Sequence, residues 1–369
     1  MSLTVLFNEE IMTKKTKTKR VPRVKKSMRS LKAKRFQKVE HGWGVAEIWN
    51  KALERVDIRL PEERNRLWAT DMSKSFVDVF LAMKGEKPSN PPNARAFRKF
   101  EAGNVSEWVV KLVLMRAGLL KVAQERVEYQ YKGMLLMSGK IDYIVGGRPD
   151  MEKVKAEVET MDVPDAFKRA ALAIVSHINE KYPAGLPVMP FEIKSIASFG
   201  ADAMERKGKS IKAHRGQLKF YLNGSRYEKG MLIYICRDDL RMFEFEITRH
   251  DKETEKEIKS FCRGITEYWK KGEQPPLEDE IVFDWDAGKF SKNLKIEYSQ
   301  YLKKLYKFEE PRDYSEKVSG TVSRFNRVVG RIKHGDKMTK NNEDAMGEMK
   351  ALGFNVKKIL KEYSNGNEE

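Results

Sequence analysis

The spacing of apolar residues predicts an alternation of helices and strands along the chain. Apolar positions recur at three- and four-residue intervals where we expect helices, namely at 45–69, 72–83, 104–117, 151–181, 214–222 and 253–271. They alternate with polar residues, or form short apolar runs, where we expect strands, namely at 126–131, 135–145, 191–196, 231–236 and 242–247. This order predicts an α/β fold, with a central mixed sheet flanked by helices and with helical additions at both ends.

Breaks in the pattern suggest four regions. Glycine and proline crowd the segment 85–92, which predicts a domain edge or an exposed loop. We expect a basic, flexible arm at 1–40 and a helical N-terminal region at 41–100. A core follows at 101–287, and a lysine-rich helical C-terminal region at 288–369. Within the core, 148–188 is expected to form a helical insert.

Composition excludes several classes of protein. The 369 residues are 40% hydrophobic, which excludes wholesale disorder. The longest apolar stretch, 108–120, is interrupted by Lys111 and Arg116, so we expect no membrane span. Two cysteines are too few for a disulfide framework or a cysteine-ligated iron–sulfur cluster. They favour a reducing, cytoplasmic location, and the N-terminus has no features of a secretion signal.

Positive charge is concentrated at the N-terminus. The net charge is +18, and residues 1–38 hold thirteen Lys or Arg against two Glu, a local charge of 13 − 2 = +11. Such a block is typical of nucleic-acid binding, because phosphates neutralised by basic residues release counterions. A solvated tail, a localisation signal or a transit peptide is the alternative. Contacts with DNA are expected from Lys14, Lys15, Lys19, Arg20, Arg23, Lys25 and Lys26.

A second basic cluster is expected to lie in the loop before the helix predicted at 214–222 and to contact a phosphate backbone, with a solvated loop as the alternative. It contains Arg206, Lys207, Lys209, Lys212 and Arg215. Gly208-Lys209-Ser210 imitates the end of a P-loop, but Ala203 stands where the first glycine is required, so we expect no ATP binding. His214 is interpreted as a helix-start residue without a chemical role, with metal or DNA contact as the alternatives.

Two strand motifs carry candidate chemistry. Gly139-Lys140-Ile141-Asp142 lies in one predicted strand, and Glu192-Ile193-Lys194 lies in the next. Residues two apart in a strand share a face, so Glu192 and Lys194 point the same way. If Asp142 approaches from the neighbouring strand, two carboxylates and a backbone carbonyl form an all-oxygen site suited to Mg²⁺ or Mn²⁺. Lys194 could then orient water or stabilise developing negative charge.

Two helical motifs accompany them. Gln217 and Tyr221 are four residues apart and share a helical face. Glu107 lies on the helix that precedes all the other motifs. Each motif alone is weak, and Glu257-Ile258-Lys259 even repeats the Glu-Ile-Lys triplet inside a predicted helix, where we interpret it as a solvated face. Asp150 competes with Asp142 as the metal aspartate, but it follows two glycines and not a core strand.

The order of these motifs resembles the PD-(D/E)XK nuclease superfamily, and within it the RecB-like branch that includes CRISPR adaptation nucleases, lambda-type exonucleases and many phage nucleases. The resemblance covers about 101–286, with an unusually long connection between Asp142 and Glu192. It implies a restriction-endonuclease-like core in which Asp142, Glu192 and the carbonyl of Ile193 hold a metal ion. It also implies that Lys194 is catalytic. Glu107 would complete the metal site.

In the same family, Gln217 and Tyr221 would organise the DNA end. The resemblance thus implies a Mg²⁺- or Mn²⁺-dependent deoxyribonuclease, with an exonuclease favoured over an endonuclease, that acts on single- or double-stranded DNA ends. Processing, repair or recombination of DNA is the expected role, and a viral source is compatible with it. No iron–sulfur cluster is expected, because its cysteines are absent. The alternative is a catalytically inactive nucleic-acid-binding or assembly protein on the same fold. A protein partner would bind through 288–369.

Overall fold

The computed structural model describes residues 61–285 and 287–364, so the predicted arm at 1–40 and the predicted helix up to residue 60 lie outside the described residues. Strands in the described part are β1 (Arg66–Trp68), β2 (Leu120–Tyr129), β3 (Leu136–Gly147), β4 (Leu186–Ile196), β5 (Lys229–Cys236), β6 (Met242–Thr248), β7 (Ile281–Asp284) and β8 (Lys289–Lys292). The α-helices there are α1 (Phe76–Met83), α2 (Ala94–Arg116), α3 (Met151–Glu159), α4 (Asp165–Lys181), α5 (Ser198–Lys207), α6 (Lys212–Asn223), α7 (Lys252–Lys271), α8 (Leu294–Glu297), α9 (Leu302–Tyr306), α10 (Pro311–Lys333), α11 (Lys340–Ala351) and α12 (Val356–Ser364).

Strand β3 organises a mixed six-stranded sheet. Strand β2 runs antiparallel along one edge of β3. The other edge is shared, because β1 pairs in parallel with residues 136–138 and β4 pairs antiparallel with residues 143–147. Residues 139–142 therefore face no paired strand on that edge among the described residues. We call this interruption between β1 and β4 the sheet gap.

Helices cover both faces of this sheet. On one face, α1, α6 and α7 pack on it through a large core that includes Leu218 and Tyr234. On the other face, α2 packs through Val110 and Leu114 against Ile193 and its neighbours. Because β5, next to β4, contributes buried residues to both cores, its sequence is a continuous apolar run rather than an alternation. The predicted α/β class, a mixed sheet flanked by helices, is confirmed.

The C-terminal residues build a second core around α10. Phe290, Tyr314 and Phe325 are almost wholly buried in it, and the β7–β8 hairpin forms one side. The prediction of a helical region at 288–369 is therefore wrong at β8. Strands of four residues carry too little alternation to stand out from a lysine-rich sequence.

Three predicted boundaries are wrong for identifiable reasons. Helix α2 begins about ten residues before Asn104, because the side chain of Asn93 caps it by accepting the N–H of Ala96 at 3.0 Å. The single helix predicted at 151–181 is two helices, and the second begins after Pro164, which lacks an N–H. Strand β4 begins at Leu186 instead of residue 191, since pairing with β3 there overrides its prolines.

The helical prediction at 72–83 is confirmed only from α1 onward. A 3-10 helix, Ala69–Ser73, precedes α1 and follows β1. The helix predicted at 45–69 is wrong at Arg66–Trp68, because these residues pair with β3 instead. No helix in the described part of the chain has the length and apolar character that crossing a membrane requires.

A buried carboxylate on α1 joins the two cores. Asp78 is 4% exposed and accepts a hydrogen bond from the hydroxyl of Ser299 at 2.6 Å. Burial raises the pKa of Asp78 to about 6, against the lowering effect of its hydrogen bonds with Ser299 and Ser75. The folded protein therefore retains a proton that the unfolded chain releases at lower pH.

This burial predicts a pH-dependent loss of stability. As pH rises from about 4 to 7, the unfolding free energy of the wild type should fall by up to about 3 kcal/mol relative to that of Asp78→Asn, which keeps the acceptor oxygen and cannot ionise. Urea unfolding of both proteins across this range measures the difference. A difference that does not change with pH would contradict an ionisation-dependent cost at Asp78.

Candidate active site

The sheet gap brings the two strand motifs together. Pairing between β3 and β4 ends at Tyr143↔Phe191, so the next residues of the two strands diverge. There the backbone N–H of Ile193 donates to Oδ2 of Asp142 at 2.8 Å instead of to a strand carbonyl. Since the N–H and C=O of one strand residue point to the same edge, the carbonyl of Ile193 is directed to the same side as Asp142.

Glu192 is the most deeply buried acid of this site, with 1% of its surface exposed. Its Oε1 accepts a hydrogen bond from Nζ of Lys194 at 2.6 Å and another from Nε2 of Gln217 at 2.8 Å. Its Oε2 is buried and has no hydrogen-bond partner in the described part. One oxygen of Glu192 is thus saturated by protein, and the other retains its full capacity to bind a cation.

Helix α6 holds Glu192 from one side. Gln217 and Tyr221 are both buried, and Nε2 of Gln217 also donates to the hydroxyl of Tyr221 at 2.8 Å. The structure therefore brings Gln217 to Glu192 and Tyr221 to Gln217. Their burial favours an indirect role through Glu192 over the direct contact with a DNA end that the sequence predicted.

Gly139 permits this arrangement. A Cβ atom at position 139 would lie 2.6 Å from Cε1 of Tyr221 and 3.0 Å from Cβ of Ala69. Such distances are incompatible with van der Waals contact, so a side chain here would displace the Tyr221 ring. Close packing against Tyr221 thus explains why a glycine stands three residues before Asp142.

The electrostatics of the site are dominated by two buried carboxyl groups that resist ionisation. Burial, reinforced by the charge of Glu192, raises the pKa of Asp142 to about 8. Burial also raises the pKa of Glu192, although Lys194 opposes it. Burial alone would lower the pKa of Lys194, but the two carboxylates outweigh this effect and raise it. Lys194 is therefore a charged ammonium, and the site favours an additional cation.

Glu107 reaches the site from the opposite face of the sheet. Its Oε1 accepts a hydrogen bond from the hydroxyl of Tyr143 at 3.0 Å, and its charge contributes to the raised pKa of Asp142. Within 61–285 and 287–364, however, no group of three or more His, Cys, Asp or Glu side chains is arranged to hold a metal ion. Metal ligation by Glu107 accordingly stays a prediction. Tyr143, which orients it, was missed by the sequence analysis, although it directly follows Asp142.

Asp150 and the second Glu-Ile-Lys triplet, which resemble site residues in the sequence, have other partners in the structure. Oδ1 of Asp150 accepts the N–H groups of Glu152 and Lys153, each at 3.1 Å, and so caps α3. Lys259 of the second Glu-Ile-Lys triplet pairs with Glu255 along α7. Neither Asp150 nor Lys259 takes part in the site around Glu192.

The second basic cluster is spread over two helices and the turn between them, and not over one loop as predicted. Arg206 and Lys207 end α5, whereas Lys212 and Arg215 belong to α6. Lys212 forms an ion pair with Glu257 at 2.5 Å. Of the five residues, Arg206, Lys207, Lys209 and Lys212 are exposed, while Arg215 is half-buried and its Nε has no hydrogen-bond partner in the described part.

Comparison with known proteins adds structural likeness only. No model of a protein family matches the chain, and a search of the curated proteins finds no match. Among solved structures, the crystal structure of SSO0001 is 16% identical, with a TM-score of 0.36 over 70% of this chain and 94% of that one. The alkaline exonuclease LHK-Exo from Laribacter hongkongensis is 13% identical, with a TM-score of 0.34 over 61% of this chain and 97% of that one. The LHK-Exo complex with dAMP gives 15% identity with the same TM-score and coverage. These values carry no argument about activity, which therefore depends on the geometry of the site.

Replacing Gly139 with alanine is expected to destabilise the protein. The added methyl group collides with the buried ring of Tyr221, and overpacking of this kind costs about 1–3 kcal/mol. Thermal or urea unfolding measures the loss. Gly320→Ala is the matched control, because a Cβ on this helical glycine meets nothing within 4 Å and should be neutral or stabilising. Equal stability of Gly139→Ala and the wild type would contradict the packing argument.

Proposed function

We propose that the protein is a divalent-metal-dependent nuclease that hydrolyses phosphodiester bonds in DNA. The observation that carries the proposal is the convergence of three side chains at the sheet gap. Asp142 lies against the backbone of Ile193, and the ammonium of Lys194 contacts Glu192 at 2.6 Å. Two carboxyl groups with raised pKa beside a charged lysine are suited to phosphate chemistry. Their burial lowers the stability of the fold, so stability alone does not explain them.

The residues fit a hard divalent cation. Oε2 of Glu192 is a buried oxygen without a partner in the described part, and such an atom is normally satisfied. Asp142, Glu192 and the carbonyl of Ile193 would hold Mg²⁺ or Mn²⁺. Two carboxylates suffice, because Mg²⁺ commonly takes its other ligands from water and substrate phosphates. Such an ion supplies Lewis-acid stabilisation of phosphate oxygens and a more acidic water.

The protein groups around this position have separable tasks. The ammonium of Lys194 lies where it can stabilise negative charge developing on a phosphate oxygen or orient the attacking water. Gln217 fixes the carboxylate of Glu192, and Tyr221 fixes the amide of Gln217. Glu107, held by Tyr143, adds a negative charge that favours a cation near Asp142.

The finer features of the proposed activity are inferred from the resemblance of the motifs to the PD-(D/E)XK nuclease superfamily. An exonuclease acting at DNA ends is favoured over an endonuclease, and processing, repair or recombination is the expected context. The alternative, an inactive binding or assembly protein, is supported by the lack of a three-carboxylate cluster in the described part. Lys194 argues against it, since a binding module needs no ammonium buried beside two carboxylates.

Cleavage of end-labelled DNA tests the proposal. Full-length wild-type protein should degrade linear DNA with Mg²⁺ or Mn²⁺ and not with EDTA. Glu192→Gln and Lys194→Met should each lower the rate by at least about 100-fold, because Glu192 would hold the metal ion and Lys194 would stabilise charge on the reacting phosphate. Degradation of linear but not circular DNA would identify an exonuclease.

The second Glu-Ile-Lys triplet supplies matched controls. Glu257→Gln and Lys259→Met change the same residue types on α7 and should not slow cleavage. Glu257→Gln also releases Lys212 from its ion pair, which can only favour phosphate contact. The nuclease proposal fails if cleavage survives both substitutions at 192 and 194. Intact DNA in every condition, together with tight binding, would instead support the inactive alternative.

The basic arm is proposed to contact phosphates outside the active site. Deleting 1–38 removes a net charge of +11, so DNA affinity should fall and its dependence on salt concentration should flatten. Fluorescence anisotropy with a labelled oligonucleotide at several salt concentrations measures both effects. An unchanged affinity would assign the arm to another task.

A further inference from the structure

His214 lies near Lys194, the lysine that we propose to be catalytic. The sequence favoured a helix-start residue without a chemical role, with metal or DNA contact as the alternatives. Lys194 and Tyr234 are register partners on the adjacent parallel strands β4 and β5, so their side chains emerge next to each other. The imidazole Nδ1 of His214 is 3.0 Å from the hydroxyl oxygen of Tyr234. Because Tyr234 contacts His214 and lies next to Lys194 in the sheet, His214 is brought close to Lys194.

Helix spacing leads to the same arrangement. His214 precedes Gln217 by three residues and Tyr221 by seven, so all three lie on one face of α6. Gln217 on that face already contacts Glu192. The face therefore presents Gln217 to Glu192 and His214, one turn earlier, to Lys194.

The hydrogen bonds of Tyr234 select one tautomer of His214. Its hydroxyl accepts the backbone N–H of Ile211 at 3.1 Å. A hydroxyl has one proton to donate, and that of the wholly buried Tyr234 is best satisfied by Nδ1 of His214. Nδ1 is then an acceptor, and the ring hydrogen resides on Nε2.

The ring is also kept uncharged. Burial, aided by the ammonium of Lys194, lowers the pKa of His214 to about 3. His214 is half-buried, whereas Tyr234 has no exposed surface. Since Nδ1 is turned toward Tyr234, Nε2 lies on the opposite side of the ring and is the nitrogen that remains to bind a ligand.

We propose that His214 is a substrate-binding residue of the nuclease site whose Nε2–H donates to a phosphate oxygen of the DNA next to Lys194, with Tyr234 as the positioning residue that fixes its tautomer. The inference rests on the proposed function, because it assigns the phosphate bound there to DNA. A neutral donor suits this position, since burial and the ammonium of Lys194 both disfavour a charged imidazolium here, whereas an N–H dipole adds to phosphate binding without added charge.

The tautomer can be measured without any turnover. Full-length protein labelled with ¹⁵N-histidine is observed by long-range ¹H–¹⁵N NMR in EDTA, and His214 is assigned from the signals lost in His214→Gln. We expect a neutral ring protonated at Nε2 at pH 7, and a shift of the Nε2 signal when a short DNA oligonucleotide is added. Tyr234→Phe should release the ring into a mixture of tautomers. A ring protonated at Nδ1 or charged at pH 7, or an Nε2 signal unmoved by saturating oligonucleotide, would overturn the proposal.

Kinetics separate a binding role from a structural one. Single-turnover cleavage by His214→Ala should be about 10- to 100-fold slower than by wild type, the loss expected for one hydrogen bond to a charged group. His214→Gln should lose less, because its amide supplies an N–H. The control His177→Ala alters an exposed histidine on α4 and should cleave at the wild-type rate.

The two proposals fail in distinguishable ways. A His214→Ala variant that cleaves as fast as an active wild type overturns the role of His214 and leaves the nuclease proposal intact. A wild type that cleaves no DNA overturns the nuclease proposal, and the oligonucleotide-induced shift at Nε2 then decides alone whether His214 binds phosphate.

Discussion

The carboxylate of Glu192 is enclosed by protein, and a charge in such a place has to be balanced by the groups around it. Lys194 and Gln217 balance one of its oxygens, while the other has no partner in the described part. The remaining properties of the site follow from this imbalance. Lys194 stays charged because carboxylates surround it, and Asp142 holds a proton more tightly than an ordinary acid. A divalent cation would stabilise the ionised form of both carboxyl groups, and the nuclease proposal follows from that requirement.

An interruption in strand pairing allows the carboxylate of Glu192 to be buried and still to lie where a cation could reach it. If β3 and β4 continued in register beyond Tyr143↔Phe191, the backbone of Ile193 would be committed to a strand partner. Because they diverge, Asp142 takes that position with its side chain. Gly139 allows Tyr221 to pack across the same interruption and support Gln217. The site is therefore built from the ends of two ladders and one helix face, without an irregular loop of its own.

The fold class and the central residues could be predicted because they depend on short-range periodicity. Alternation places Glu192 and Lys194 on one strand face, and helical spacing places Gln217 and Tyr221 together; the structure brings both pairs to the sheet gap. The relation of Tyr143 to Glu107 and of Tyr234 to His214 could not be predicted, since each depends on strand register or helix packing between distant segments. The start of α2 and the β7–β8 hairpin were missed because a cap and four-residue strands leave weak patterns.

The proposed nuclease activity depends most directly on the cation that Asp142 and Glu192 would share. Titration of full-length protein with Mn²⁺, followed by electron paramagnetic resonance of the free ion, measures binding at this position without requiring catalysis. We expect wild type and Glu257→Gln to bind Mn²⁺ equally, and Glu192→Gln and Asp142→Asn each to lose that binding. Equal Mn²⁺ binding by all four proteins, or none by the wild type with DNA present, would contradict this expectation.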